Sequence, residues 1–136
     1  MSTIAIVDID RNYGIGKNGT IPWKTDLAFF NKMTTNHVVI MGKNTWESLS
    51  DKPLLDRINI VVSTKLDDGR WKLKKNLCGY FYTVKSLGQA LRLADDIAHD
   101  KEHFIIGGEH LYLSAFVAGI VDAVLVTKYA DRKSVV

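Results

Sequence analysis

Cysteine is almost missing from this chain. Cys78 is the only one in 136 residues, so no disulfide can close within the chain, and the composition suits a reducing, cytoplasmic compartment. No apolar run reaches membrane-spanning length, and Asp8 and Asp10 break up the apolar N-terminus where a signal peptide would need an uninterrupted stretch. There is no internal repeat and no low-complexity segment. Charge of one sign is also scarce: 18 basic residues against 15 acidic ones leave a net +3. That is compatible with an anionic small molecule and gives no reason to expect nucleic acid or a membrane as partner. His37, His99, His103 and His110 show no metal-ligand spacing, none pairs with Cys78, and no local signature supports a Ser-His-Asp set. What is present, 46% apolar and 24% charged residues, fits one ordinary domain over residues 1–136 with a core of its own.

Hydropathy patterning predicts strands interleaved with helices. Thr3–Ile9 reads as a buried strand. Thr25 can cap a helix running to about Thr35, on which Asp26, Phe30 and Met33 share a face. His37–Met41 is a second strand, followed at Gly42 by a helix from about Lys43 to Leu49. Pro53–Asp56 form a turn before a third strand, Ile58–Thr64, which Arg57 precedes. Lys65–Lys75 reads as a charged loop, and Cys78–Thr83 as a fourth strand. Ser86 and Gln89 make a capping-box pattern for a helix through about His99. His103–Ile106 is a fifth strand, Glu109–Phe116 a helix, and Asp122–Tyr129 a sixth strand. Trp46 and Trp71 read as packing residues. The alternation argues an α/β fold with a mostly parallel twisted sheet flanked by helices.

Three glycine-bearing stretches carry the chemistry. Gly14, Gly16 and Gly19 fit G-x-G-x-x-G, but Thr20-Ile21-Pro22-Trp23 separate the last glycine from any helix, which argues against a dinucleotide fingerprint and for a loop that closes over a site. The other two are strand–glycine–helix corners, at Gly42-Lys43 and at Gly107-Gly108-Glu109. Free backbone N–H groups at such corners suit an anion. In a parallel sheet both fall at the carboxyl ends of strands, so one extended anionic ligand can use both. Arg57 is a side chain suited to gripping a carboxylate through two parallel hydrogen bonds.

The blocks GIGKNGTIPW at 14–23, Asp26 with Phe30, VIMGKNTWESL at 39–49, RINIVVS at 57–63, IIGGEHLY at 105–112 and VLVTK at 124–128 resemble, in order, those of the dihydrofolate reductase family. The resemblance implies an NADPH-dependent reductase of 7,8-dihydrofolate to tetrahydrofolate, in one-carbon metabolism, with a hydride to pterin C6 and a proton to N5 by way of water. It implies that Asp26 is the acid that pairs with the pterin edge, with Trp23 beside it and Thr127 supporting it. Leu27 and Phe30 would line the pterin and aminobenzoyl pocket. Arg57 would hold the α-carboxylate of the glutamate tail. Ile6 and Ile106 would offer backbone carbonyls, with Val7 and Asp8 beside the pterin. Cofactor contacts would come from Gly16, Gly19 and Ile21 of the loop, from Gly42, Lys43, Asn44 and Thr45, from Ser63, Thr64 and Lys65, and from Gly107, Gly108, Glu109, His110, Leu111 and Tyr112. Antifolates such as methotrexate would bind.

Three features set this chain apart from that pattern. Only Lys24 and Thr25 separate Trp23 from Asp26. Asp8 stands where a small apolar residue is usual. The chain stops at Val136 without the closing antiparallel strand pair, so the last strand is expected to be a sheet edge open to association in an otherwise monomeric protein. The alternatives are a riboflavin-pathway pyrimidine reductase and a non-catalytic nucleotide-binding homologue.

Overall fold

Strands rich in Val and Ile can bury both faces only if helices cover both, and the described residues supply four helices. In the computed structural model, residues 2–9, 27–64 and 71–128 are described, with backbone alone at 8, 9, 127 and 128. The elements run β1 (Thr3–Ile9), α1 (Leu27–Thr34), β2 (Val38–Gly42), α2 (Lys43–Ser48), β3 (Ile58–Val62), β4 (Lys72–Asn76), β5 (Gly79–Val84), α3 (Leu87–Ala98), β6 (His103–Gly107), α4 (Glu109–Ala118) and β7 (Ala123–Lys128). They form one seven-stranded sheet in the order β4-β5-β3-β2-β6-β1-β7. Every neighbouring pair is parallel except β4 with β5. The glycine loop, Trp23, Asp26, Lys65 and the last eight residues lie outside the described residues.

Side-chain alternation divides the interior in two. One cluster holds Phe30 of α1 and Trp46 and Leu49 in and after α2, with Ile6, Val39, Met41, Val61, Phe104 and Ile106 of the sheet. The other holds α3 and α4 residues against Ala5, Val7, Val38, Ile40, Ile60 and Ile105. Trp46 is packing, as expected, with its ring 4.5 Å from that of Phe81. The capping pattern of α3 is realised in part. Ser86 Oγ accepts from the Gln89 N–H at 3.1 Å, whereas Gln89 Oε1 accepts from Lys85 N, one residue earlier than the standard box.

The charged stretch 65–75 needs correcting. Its second half is a strand, β4, paired antiparallel with β5 through Lys72↔Thr83 to Asn76↔Gly79. Cys78 accordingly lies in the hairpin turn rather than in a strand, its N–H donating to Asn76 Oδ1 at 2.8 Å. Gly79 leaves the turn at φ 142, which suits glycine. The pattern hid β4 because none of the described residues covers it. Its residues from Lys72 to Lys75 are exposed, and lysine on a sheet edge deters unwanted pairing. At the other edge β7 pairs only with β1 among the described strands, with Val124 44% and Val126 51% exposed. Among the described residues no helix is long and apolar enough to cross a membrane.

Candidate active site

The helices after β2 and β6 leave in opposite directions. These strands are neighbours, yet α2 packs its Trp46 into one core cluster and α4 packs Leu111, Tyr112 and Ala115 into the other. Where adjacent parallel strands send their helices to opposite faces, a crevice opens at the carboxyl ends of the strands. The two glycine corners border it. A Cβ on Gly42 would lie 3.7 Å from Gly108 N, and one on Gly108 would lie 3.5 Å from Thr45 Oγ1. The corners therefore meet, as the sequence suggested. The peptide between Gly107 and Gly108 is cis, and Gly107 adopts φ 138, where a side chain would be strained.

Both helices start without a side-chain cap, at Gly42 and at Gly108. First-turn N–H groups have no partner within a helix, so these remain available to an anion. Lys43 and Asn44 are exposed beside the first corner and Thr45 is buried; Glu109 and His110 are exposed at the second, with Leu111 and Tyr112 buried. Ser63 N donates to Val84 O at 2.8 Å just past β3, with Thr64 exposed next to it.

The neighbouring strands part at the same end. The β1–β6 ladder stops at Ala5↔Ile105, and β6 carries an extra residue at Ile106, since β2 pairs Ile40↔Ile105 and then Met41↔Gly107. Ile6 and Ile106 thus sit where the sheet splits, both in the same core cluster as Phe30. Tyr112 Oη donates to Ile6 O at 2.8 Å across the split. The Val7 side chain points to the opposite core, so only its backbone can serve this side. Asp8 and Thr127 are register partners on β1 and β7. The far end of the sheet is tied shut by hydrogen bonds such as Thr3 N to Asp122 Oδ2 at 2.8 Å and Ser2 N to Glu102 Oε2 at 3.1 Å.

A second hollow, about 410 Å³, runs along α1, lined by Leu27, Phe30, Asn31, Leu49, Leu54 and Arg57 among others. Leu27 is half exposed there and Phe30 forms its buried wall. The Arg57 guanidinium stands 5.9 Å from the Phe30 ring centroid. Its Nε donates to Leu55 O at 2.8 Å, and its Nη1 to Asn31 Oδ1 and Thr34 Oγ1, both at 3.0 Å. Burial lowers the pKa of Arg57 and the neighbouring Asp56 charge raises it in part; an arginine still keeps its charge. Asn31 and Thr34 were not singled out from sequence. Their spacing from each other, three residues, is the signal that could have placed them on one helix face. Among the described residues no metal-binding cluster of His, Cys, Asp or Glu occurs.

A family model described as dihydrofolate reductase matches residues 2–134. The chain is 40% identical over 124 residues to the viral dihydrofolate reductase of Saimiriine herpesvirus 2, covering 81% of this chain and 55% of that one. It is 38% identical over 125 residues to the dihydrofolate reductase of Mus musculus, covering 81% and 63%. In structure it is similar to dihydrofolate reductase from Enterococcus faecalis complexed with NADP(H) and RAB-propyl, with TM-score 0.73 and 26% identity over 93% of this chain and 70% of that one. The chain thus spans between about half and two thirds of the length of the two named relatives.

Proposed function

This chain belongs to the dihydrofolate reductase family, and we propose that it reduces 7,8-dihydrofolate with NADPH. The observation that carries the proposal is the pairing of two sites: the crevice between the Gly42 and Gly108 corners at the carboxyl ends of the strands, and the groove that runs along α1 from Leu27 past Phe30 to Arg57, which directly precedes β3. The corners fit a phosphate-bearing cofactor because they offer uncapped helix starts and no Cβ at the point of approach. NADPH, when bound, supplies the hydride that pterin C6 receives. The chain's own contribution is placement. Lys43, Thr45 and the α4 start would hold phosphates, Ser63 and Thr64 would lie by the adenosine ribose, and Ile6 and Ile106 would border the ring. Phe30 gives an apolar wall and Arg57 a cation for the tail carboxylate. Asp26, which directly precedes α1 in sequence, would pair with the pterin edge, with Trp23 and Thr127 in support. The loop carrying Gly16, Gly19 and Ile21 would exclude water. A cytoplasmic monomer binding antifolates such as methotrexate completes the reading; the exposed free Cys78 is consistent with a reducing compartment.

The deciding experiment follows the NADPH absorbance band with and without dihydrofolate. Loss of absorbance only in the presence of dihydrofolate is expected, and its failure to appear refutes the reading. Two substitutions refine it. Arg57→Ala should raise KM for dihydrofolate about 10- to 100-fold, since hydrogen bonds to charged groups contribute about 1.5–3 kcal/mol, while a pterin without the glutamate tail is little affected; equal losses for both would remove Arg57 from the tail site. Lys43→Ala should weaken NADPH by up to about fivefold, the scale of an exposed ion pair, and NADH less. An equal effect on both would exclude Lys43 from the 2′-phosphate.

A further inference from the structure

Arg57 is already satisfied in a way that obstructs the fork expected of it. A guanidinium carries five N–H groups. Three have partners here: Nε–H on Leu55 O, and both Nη1 hydrogens, on Asn31 Oδ1 and Thr34 Oγ1. The remaining two both belong to Nη2. A carboxylate held by two parallel bonds needs one hydrogen from each of two nitrogens, and each such pair includes a group already in use. Something must yield for the fork to form. Leu55 O is backbone. Thr34 is fully buried, and its hydroxyl also donates to Phe30 O at 2.8 Å. Asn31 is a half-buried side chain on the wall of the groove, able to turn away without moving the main chain.

We propose that Asn31 is a displaceable stand-in for the substrate's carboxylate, and that its competition for Arg57 sets how tightly a carboxylate-bearing tail is held. The inference rests on the tail-binding role read for Arg57 above, and it concerns a neutral amide that offers one oxygen where the ligand offers two charged ones. The free protein keeps the arginine ordered and satisfied, and the ligand must replace that bond before it gains its own. An interaction made only in the free state subtracts from affinity; removing it tightens binding.

The test is titration of the folded chain with p-aminobenzoylglutamate and, separately, p-aminobenzamide, which has the ring and amide but no carboxylate. Asn31→Ala should tighten p-aminobenzoylglutamate by about two- to tenfold, the range of one neutral hydrogen bond, and leave p-aminobenzamide as it was. Asn31→Asp should loosen p-aminobenzoylglutamate by at least about tenfold, because a carboxylate competes more strongly for the same N–H. Weaker binding by Asn31→Ala would make the amide a mere support for Arg57 and overturn the proposal, as would equal changes with both compounds or no binding to any form. Turnover of dihydrofolate by the native chain decides the reductase reading separately, since the titration needs no catalysis.

Discussion

Asp26→Asn is expected to lower kcat for dihydrofolate by about 10²- to 10³-fold, the loss typical of removing one preorganised electrostatic contact to a reacting group. Asparagine nearly matches aspartate in size, so packing survives. What disappears is the charge that lets two hydrogen bonds to an amidine-like edge be strong ones. The residue immediately precedes Leu27, the first residue of α1, and Leu27, Phe30 and Arg57 line a single groove. A ligand anchored by its tail at Arg57 and lying along Phe30 runs toward the start of that helix. NADPH affinity should stay within about twofold, because the cofactor corners are built by β2–α2 and β6–α4, neither of which carries Asp26. Stopped-flow turnover with saturating cofactor, and NADPH titration of the same protein, check both halves. Unchanged turnover removes Asp26 from the chemistry. A parallel loss of NADPH affinity means the substitution disturbed more than one contact.

The architecture was largely written in local pattern, and the reasons are specific. β1, β2, β3 and β6 are mostly apolar on both faces, with buried Asn59 and His103 among the exceptions, and α3 has the spacing of a one-sided helix, so each declares itself without its neighbours. The meeting of Gly42 with Gly108 was also legible, since two strand–glycine–helix corners in a parallel sheet must share one end. β4 was not legible. Its Lys-Leu-Lys-Lys-Asn stretch exposes nearly all its side chains, and only its ladder to β5 makes it a strand. The same limit applies to the site. Arg57 and Phe30 stood out as residue types, but the grip of Asn31 and Thr34 on Arg57 spans 26 and 23 residues of sequence and arises only when α1 packs beside the start of β3. The split between β1 and β6 beyond Ala5 depends on register, which no single strand encodes.

Phe30→Ala is expected to have the largest effect on stability. The side chain is 0% exposed in a cluster with Ile6, Met41, Trp46, Phe104 and Ile106, and truncating a buried phenylalanine costs about 3–5 kcal/mol. A domain of this kind holds about 5–15 kcal/mol in all, so the melting temperature should fall by roughly 10–20 °C. Phe104→Ala, buried at 1% in the same cluster, should lower it comparably. The two differ in what else they touch. Phe30 walls the groove and lies beneath the Arg57 guanidinium, and its helix carries the Asn31 and Thr34 acceptors. Phe104 stands against the His37 ring, outside the groove lining. At a temperature where both variants remain folded, Phe30→Ala should therefore lose far more affinity for p-aminobenzoylglutamate than Phe104→Ala. Equal losses would mean that the ring serves only the core and that the groove along α1 is not where the tail binds.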